Sequence, residues 1–165
     1  MDALPVLATA RLRLRPLRRG TDDEALFAVY GDARVMRHAS DPPFTSLADV
    51  ARLHDSVERL LAAQLSFEWA VAMRADDRLI GTCGLHGFDW PLHQAEVGCL
   101  LAQAHWGQGL MSEALRALMA HAAGTLGLHT LLADIDADNM RSQRLFSALG
   151  FDPRPNGLYQ CTLQP

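Results

Sequence analysis

The sequence predicts an α+β protein, a mixed and mostly antiparallel sheet with helices on both faces. Three observations lead there. Runs of period two and runs of period 3.6 follow one another in the order strand, two helices, three strands, helix, strand, helix, strand. The central strands are joined by turn-forming segments, and the chain does not open on the regular βαβ alternation of a parallel sheet. Finally, 49% of the 165 residues are apolar, yet no apolar run approaches the roughly 18–20 residues that span a bilayer. Length and composition fit one domain, 1–165, with a sizeable core and no repeat, linker or low-complexity segment.

Taken in order, Arg11 to Leu17 alternates arginine with leucine, the pattern of a strand with one wet face, and Pro16 and Gly20 close it. Thr21-Asp-Asp-Glu24 reads as a capping box, followed by a short helix through Ala25, Phe27, Ala28 and Tyr30 that ends near Gly31. After a turn over Asp41 to Thr45, Ser46 caps a longer helix to about Leu65, with Val50, Leu53, Val57, Leu60 and Leu61 at helical spacing. Phe67 to Met73 and Leu79 to Leu85 read as a hairpin about the turn Ala75 to Arg78, and Gly87 to Pro91 breaks the pattern. Ala95 to Leu101 is the next strand. The helix beyond Gly109 places Met111, Leu115, Leu118 and Ala122 on one face and ends around Gly124 to Gly127. Thr130 to Ile135 is a strand. A helix starting at Asp138-Asn139 carries Leu145, Phe146 and Leu149 until Gly150 stops it, and Phe151 with Leu158 to Leu163 supplies the last short strands.

Charge and cysteine usage exclude several classes. The net charge is −4 and all fifteen basic residues are arginine. The cluster Arg11, Arg13, Arg15, Arg18 and Arg19 follows strand periodicity, and the acidic total provides no basic footprint for nucleic acid. Cys83, Cys99 and Cys161 are isolated, so neither a disulfide framework nor a zinc site is expected, and no His, Cys and carboxylate set has metal-ligand spacing. The start Met-Asp-Ala-Leu-Pro lacks the features of a secretory leader, and a cytoplasmic location is expected.

The most informative stretch is Gln103-Ala-His-Trp-Gly-Gln-Gly-Leu-Met-Ser-Glu-Ala-Leu115, where a strand feeds two glycines that open a helix. Amides at a helix start lack intrahelical partners and, with the helix dipole, favour an anion. Glycine lets the backbone turn tightly and approach a ligand. Ser112 adds a hydroxyl able to cap an amide or donate to a phosphate. The loop lacks the Gly-Lys-Ser/Thr of a nucleotide P-loop and the Gly-x-Gly-x-x-Gly spacing of a dinucleotide fold.

The run His105 to Leu115 resembles the acetyl-coenzyme A loop of the GNAT N-acetyltransferase superfamily, and more narrowly its ribosomal-protein-alanine N-acetyltransferase (RimJ/RimL-type) branch. Leu79-Ile-Gly81 and Ala95-Glu-Val-Gly98 are similar to that branch's paired central strands, and Asp138-Asn-Met-Arg-Ser142 with Leu149-Gly-Phe151 to its second cofactor segment. Arg11-Leu-Arg-Leu-Arg-Pro-Leu17 is similar to its first strand, so nearly the whole chain is covered in order. Three positions depart: Trp106 replaces the general pattern's Arg or Gln, although Trp is familiar in this branch; Met111 replaces Gly or Ala; and Phe146 falls where many members carry a tyrosine general acid. The C-terminal strand pair is also abbreviated.

The resemblance implies a GNAT-like sheet splayed at its central strands and acetyl-coenzyme A as co-substrate, with no metal. It implies that the amides of Trp106, Gly107, Gln108, Gly109, Leu110, Met111 and Ser112 hold the pyrophosphate, and that Cys99, Leu100 and Leu101 pair with the pantetheine arm. An amide near Leu100 would polarise the thioester carbonyl. The implied activity is direct attack of a primary amine, a protein N-terminus or a small molecule, within a ternary complex. The segments Val35 to Ser46 and His86 to Gln94 would shape the acceptor site.

The reaction must remove a proton from the amine, and Glu96, a lone carboxylate in an apolar strand, is the candidate base, while an exposed or ion-paired glutamate is the alternative. Ser142 is a candidate donor to the leaving sulfur or the pantetheine, and Asn139 a helix cap that also touches the cofactor. His86 and His105 are weaker candidates for the cleft, His93 reads as solvated, and Asp134 and Asp136 face either substrate or water. With no tyrosine at position 146, a non-catalytic acyl-coenzyme A-binding or sensor module is the rival reading, and a nucleotide-binding protein a third. A monomer or a homodimer fits equally.

Overall fold

In the computed structural model, which describes residues 3–165, eight strands form one sheet: β1 (Leu7–Ala8), β2 (Leu12–Arg15), β3 (Ser66–Met73), β4 (Leu79–Asp89), β5 (Gln94–Leu101), β6 (Thr130–Asp134), β7 (Asp152–Pro153) and β8 (Leu158–Thr162). Met1 and Asp2, part of the N-terminal reading above, lie outside the described residues. The spatial order is β1-β2-β3-β4-β5-β6-β8-β7. Every pairing is antiparallel except β5 with β6. Four helices cover the faces: α1 (Asp23–Tyr30), α2 (Leu47–Ala62), α3 (Leu110–Gly124) and α4 (Met140–Ala148). Among the described residues no helix is long and apolar enough to cross a membrane.

Period-two alternation sorts β3 to the two faces. Phe67, Trp69 and Val71 join Cys83, Leu85 and Val97 in a core closed by Leu110, Ala114, Leu115 and Leu118 of α3. On the other face Ala70 packs with Leu26, Val29 and Tyr30 of α1 and Val50 of α2. Each large apolar side chain so buried contributes about 1.5–3 kcal/mol. Trp69 is wholly buried and its indole N–H donates to the Pro5 carbonyl at 3.0 Å, which satisfies its one polar atom.

Helix starts divide into one expected and one unexpected case. Ser46 heads α2 in a capping box completed by Asp49. The capping box expected at Thr21 does not form, because α1 starts at Asp23 and its N-cap Asp22 makes no side-chain cap bond. The Asp22 carboxylate instead takes a bidentate pair from Arg15 Nη1 and Nη2 at 2.8 and 2.9 Å. The Arg18 backbone N–H also donates to Asp22 Oδ2 at 2.7 Å, so the carboxylate is occupied by the buried arginine and by the turn that precedes α1. The helix α2 stops at Ala62, short of Leu65, and β4 runs on to Asp89 through a register shift after His86, with Gly87 at φ +56°.

The break in the sheet lies between β5 and β6. Their parallel pairing covers only Gln94 with Thr130, Ala95 with Leu131 and Glu96 with Leu132. Beyond Glu96, β5 continues to Leu101 bonded to β4 alone, while β6 stays with β8. The edge from Val97 to Leu101 therefore faces a slot, which is the splay expected at the central strands.

Candidate active site

The glycine loop closes one end of this slot. After Leu101 the chain makes a short turn over Gln103–His105, and Gly107 and Gly109 both stand at φ +74°. A Cβ built on Gly107 would meet nothing within 4 Å, so backbone conformation rather than crowding demands glycine there. The first long-range helical amide of α3 is Glu113, bonded to the Gly109 carbonyl at 3.1 Å. The amides of Leu110, Met111 and Ser112 are left as the helix-start donors. Leu110 and Met111 bury their side chains in the core and so fix that amide cluster in place.

A clamp from the sheet edge holds the loop. The Glu113 carboxylate accepts from Thr9 Oγ1 at 2.6 Å, Arg11 N at 2.9 Å and Arg11 Nε at 2.9 Å, and Arg11 Nη1 donates to the Gln108 carbonyl at 3.0 Å. Burial raises the Glu113 carboxyl, but these donors outweigh it and the net shift is down. The Ser112 hydroxyl accepts from Arg116 Nη1 at 2.6 Å and keeps its own hydrogen to donate.

Trp106 bridges the two sides of the slot. Its indole N–H donates to the Leu101 carbonyl at 2.7 Å, and the Arg141 guanidinium stacks 3.3 Å from its ring centroid. Arg141, which the sequence reading did not single out, is thereby placed at the start of α4 facing the loop. Burial lowers its affinity for a proton, and burial also pushes the Cys99 thiol up to about 12. Asn139 caps α4 as expected, its Oδ1 accepting from Ser142 N at 3.2 Å.

Together these elements line a cleft of about 910 Å³ that reaches Cys99, Leu100, Leu101, Trp106, Ser142 and Phe146. The segment after Val35 closes it on one side through Met36, His38 and Asp41. Of the hairpin from His86 to Gln94, His86 is the residue that lines it; the rest pairs within the β4–β5 ladder or turns away. His93 stacks on His129 with ring centroids 4.5 Å apart. Phe146 is buried and packs edge-on against Phe151 at 5.1 Å, with no hydroxyl to offer the cleft. His38 Nδ1 lies 3.1 Å from Asp136 and 3.5 Å from Asp138, a partly exposed His and carboxylate cluster that no sequence spacing reveals.

The candidate carboxylates contrast. Glu96 keeps 41% of its side chain exposed and pairs with His86 Nε2 at 3.3 Å; it is not the buried, isolated group the apolar strand suggested. Glu68, missed in the sequence, lines the same cleft half-buried from β3. Burial pushes its carboxyl up to about 7, against a lowering hydrogen bond from Thr82. The available signal was its place as the lone charge in an otherwise apolar strand, opposite a glycine; the pairing register was needed to read it.

An acetyltransferase (GNAT) domain is matched by residues 11–152, most of the chain. The N-acetyltransferase p20 of Bacillus licheniformis, itself uncharacterized, is 28% identical over 148 residues, 90% of this chain and 83% of that protein. RimL, a ribosomal L7/L12 alpha-N-protein acetyltransferase solved with coenzyme A, superposes with TM-score 0.83 at 18% identity, covering 96% of this chain and 98% of that one. The spermidine N-acetyltransferase of Vibrio cholerae, solved with coenzyme A and spermine, gives 0.76 at 18% identity over 92% and 94%. The slot beside a glycine loop and the extent of these matches define the class: this chain belongs to the GNAT acetyltransferase family, and it is an acyltransferase enzyme.

Proposed function

We propose that the protein moves an acetyl group from acetyl-coenzyme A to a primary amine by direct attack within a ternary complex. The observation that carries this is the β5 edge from Val97 to Leu100, unpaired with β6, running toward the uncapped amides of Leu110, Met111 and Ser112. An extended amide-bearing arm fits the first and a pyrophosphate the second. Gly107 and Gly109 support this reading: both hold left-handed backbone at φ +74° that turns the loop tightly toward a ligand, with open space around Gly107.

In this reading Trp106, Gly107, Gln108, Gly109, Leu110, Met111 and Ser112 hold the pyrophosphate, Cys99, Leu100 and Leu101 hold the arm, and Asn139 supports Ser142 beside the leaving sulfur. When bound, the thioester supplies the activated acetyl group. The chain contributes positioning, worth about 7–11 kcal/mol of barrier in favourable intramolecular systems. Glu96 with His86 lines the acceptor side, where a carboxylate favours a cationic amine. The domain spans 1–165 and works in the cytoplasm, on a protein N-terminus or a small amine. Thiol release over a panel of amines and N-terminal peptides tests the reading. Release with at least one acceptor supports it; tight coenzyme A binding with no release on any amine would leave an acyl-coenzyme A-binding module instead.

A further inference from the structure

We infer that Glu68 is the catalytic base that takes the proton from the attacking amine, an assignment resting on the acetyltransferase reading above. Three rows of side chains cross the sheet toward the slot on the α1–α2 face: Ser66, His86 and Glu96; then Glu68, Gly84 and Gly98; then Ala70, Thr82 and Leu100. In the middle row Glu68 faces two glycines in succession, and Gly98 lies just beyond the last residue that pairs with β6. The carboxylate lies over Gly84: a Cβ there would come 2.2 Å from Glu68 Oε2. At Gly98 the nearest atom to an added Cβ is His86 Cε1 at 3.7 Å, so the path onward is open. With strands spaced about 4.7–4.9 Å, one strand's width separates the carboxylate from the slot edge, room for an amine nitrogen.

The neighbours prepare Glu68 for this task. Thr82 stands between the two: hydrogen bonding from it lowers the Glu68 carboxyl against burial, and its hydroxyl lies 2.9 Å from the Tyr30 hydroxyl. Burial keeps the Tyr30 hydroxyl protonated. No arginine or histidine pairs with Glu68 among the described residues, which leaves it free to change charge. A carboxyl that titrates near 7 is matched to a general base at neutral pH.

The step balances. Glu68 accepts one proton from the ammonium. The neutral amine forms the C–N bond, the C–S bond breaks with its electron pair on sulfur, and the second nitrogen proton passes to that thiolate. Glu68 then releases its proton to water through the cleft.

Thiol release measured from about pH 5.5 to 9.5, with the best acceptor amine, is the test. The wild-type rate should rise through about pH 7, and Glu68→Gln should lower it roughly 10²–10³-fold at neutral pH and abolish that limb. The variant should recover toward wild type where the amine, with pKa near ~8 for an α-amine, is already neutral. Thr82→Val, which removes the donor, should move the limb to higher pH, while Glu96→Gln should keep it. Unchanged unfolding midpoints and unchanged coenzyme A binding guard against misfolding. Turnover by wild type with a Glu68→Gln rate within about threefold, or with the limb retained, overturns the assignment alone. If Glu68→Gln does not fold, an unmoved limb in Thr82→Val overturns it. Absence of wild-type release on every amine overturns the activity and the assignment together.

Discussion

Arg15 and Glu68 are charged residues withdrawn from water on neighbouring strands of one sheet, and they are treated in opposite ways. Arg15, 1% exposed, is fully partnered: the bidentate pair to Asp22 is joined by Nε to Asp77 Oδ1 at 3.0 Å and Nη2 to the Asp77 carbonyl at 3.0 Å. Asp77 also takes Arg18, and although burial raises its carboxyl, Arg15 and Arg18 bring it below the usual range. These contacts tie the end of β2 to the start of α1 and to the β3–β4 turn. Glu68 has a threonine and an open cleft. A fully satisfied charge specifies a fold; a half-satisfied one lowers stability and is available for chemistry.

Asp22→Ala should have the largest effect. Leaving Arg15 buried without its main partner should cost about 3–5 kcal/mol, read as a lower urea midpoint with little change in the acceptor pH profile of the folded enzyme. A loss under about 1 kcal/mol would mean the network is not holding α1 to the sheet.

Glu68→Gln should act the other way on stability. In the unfolded chain the carboxyl titrates near its ordinary 4.5, and in the folded chain near 7. The folded state therefore binds the proton more tightly. Stability is greatest below pH 4.5, falls as pH rises through 7 and then levels. The variant should be more stable than wild type at pH 8, on the order of 1–3 kcal/mol, and indistinguishable at pH 4. Equal stability at both pH values would remove the strain this comparison assigns to Glu68. Asp77 has the opposite sign, since its contribution is present near neutral pH and is lost as acid protonates it.

Smaller effects sharpen the picture at the cofactor side. Gly109→Ala places a Cβ at φ +74° and should cost about 1 kcal/mol while weakening coenzyme A binding. Calorimetric affinity equal to wild type would argue against the loop as the phosphate cradle. Glu96→Gln should raise KM for a cationic amine by only a few-fold, about 1 kcal/mol, since exposed pairs contribute little. A loss of kcat matching that of Glu68→Gln would reverse the roles of the two carboxylates.

How legible the molecule was depends on the distance between the residues involved. The central strands, the Ser46 cap, the glycine loop and the Asn139 cap are local patterns found where the sequence predicts them, whereas β1 (Leu7–Ala8) is not among the expected strands and β4 runs on past Leu85 to Asp89. The Thr21 box failed because α1 starts at Asp23, which leaves Thr21 outside the cap position. For Glu96 the sequence left a buried base and an exposed or ion-paired glutamate both open, and the structure places its side chain in the second setting, beside His86.

By itself, then, the sequence determined the order of elements, the glycine-opened helix start and the absence of a tyrosine at Phe146, since periodicity, capping and backbone freedom act within a few residues. Only the tertiary structure decided where β5 parts from β6, which carboxylate faces the slot and which charges are neutralised. Those depend on strand register and on packing between segments far apart in the chain, where a shift of one residue would turn Glu68 to the other face.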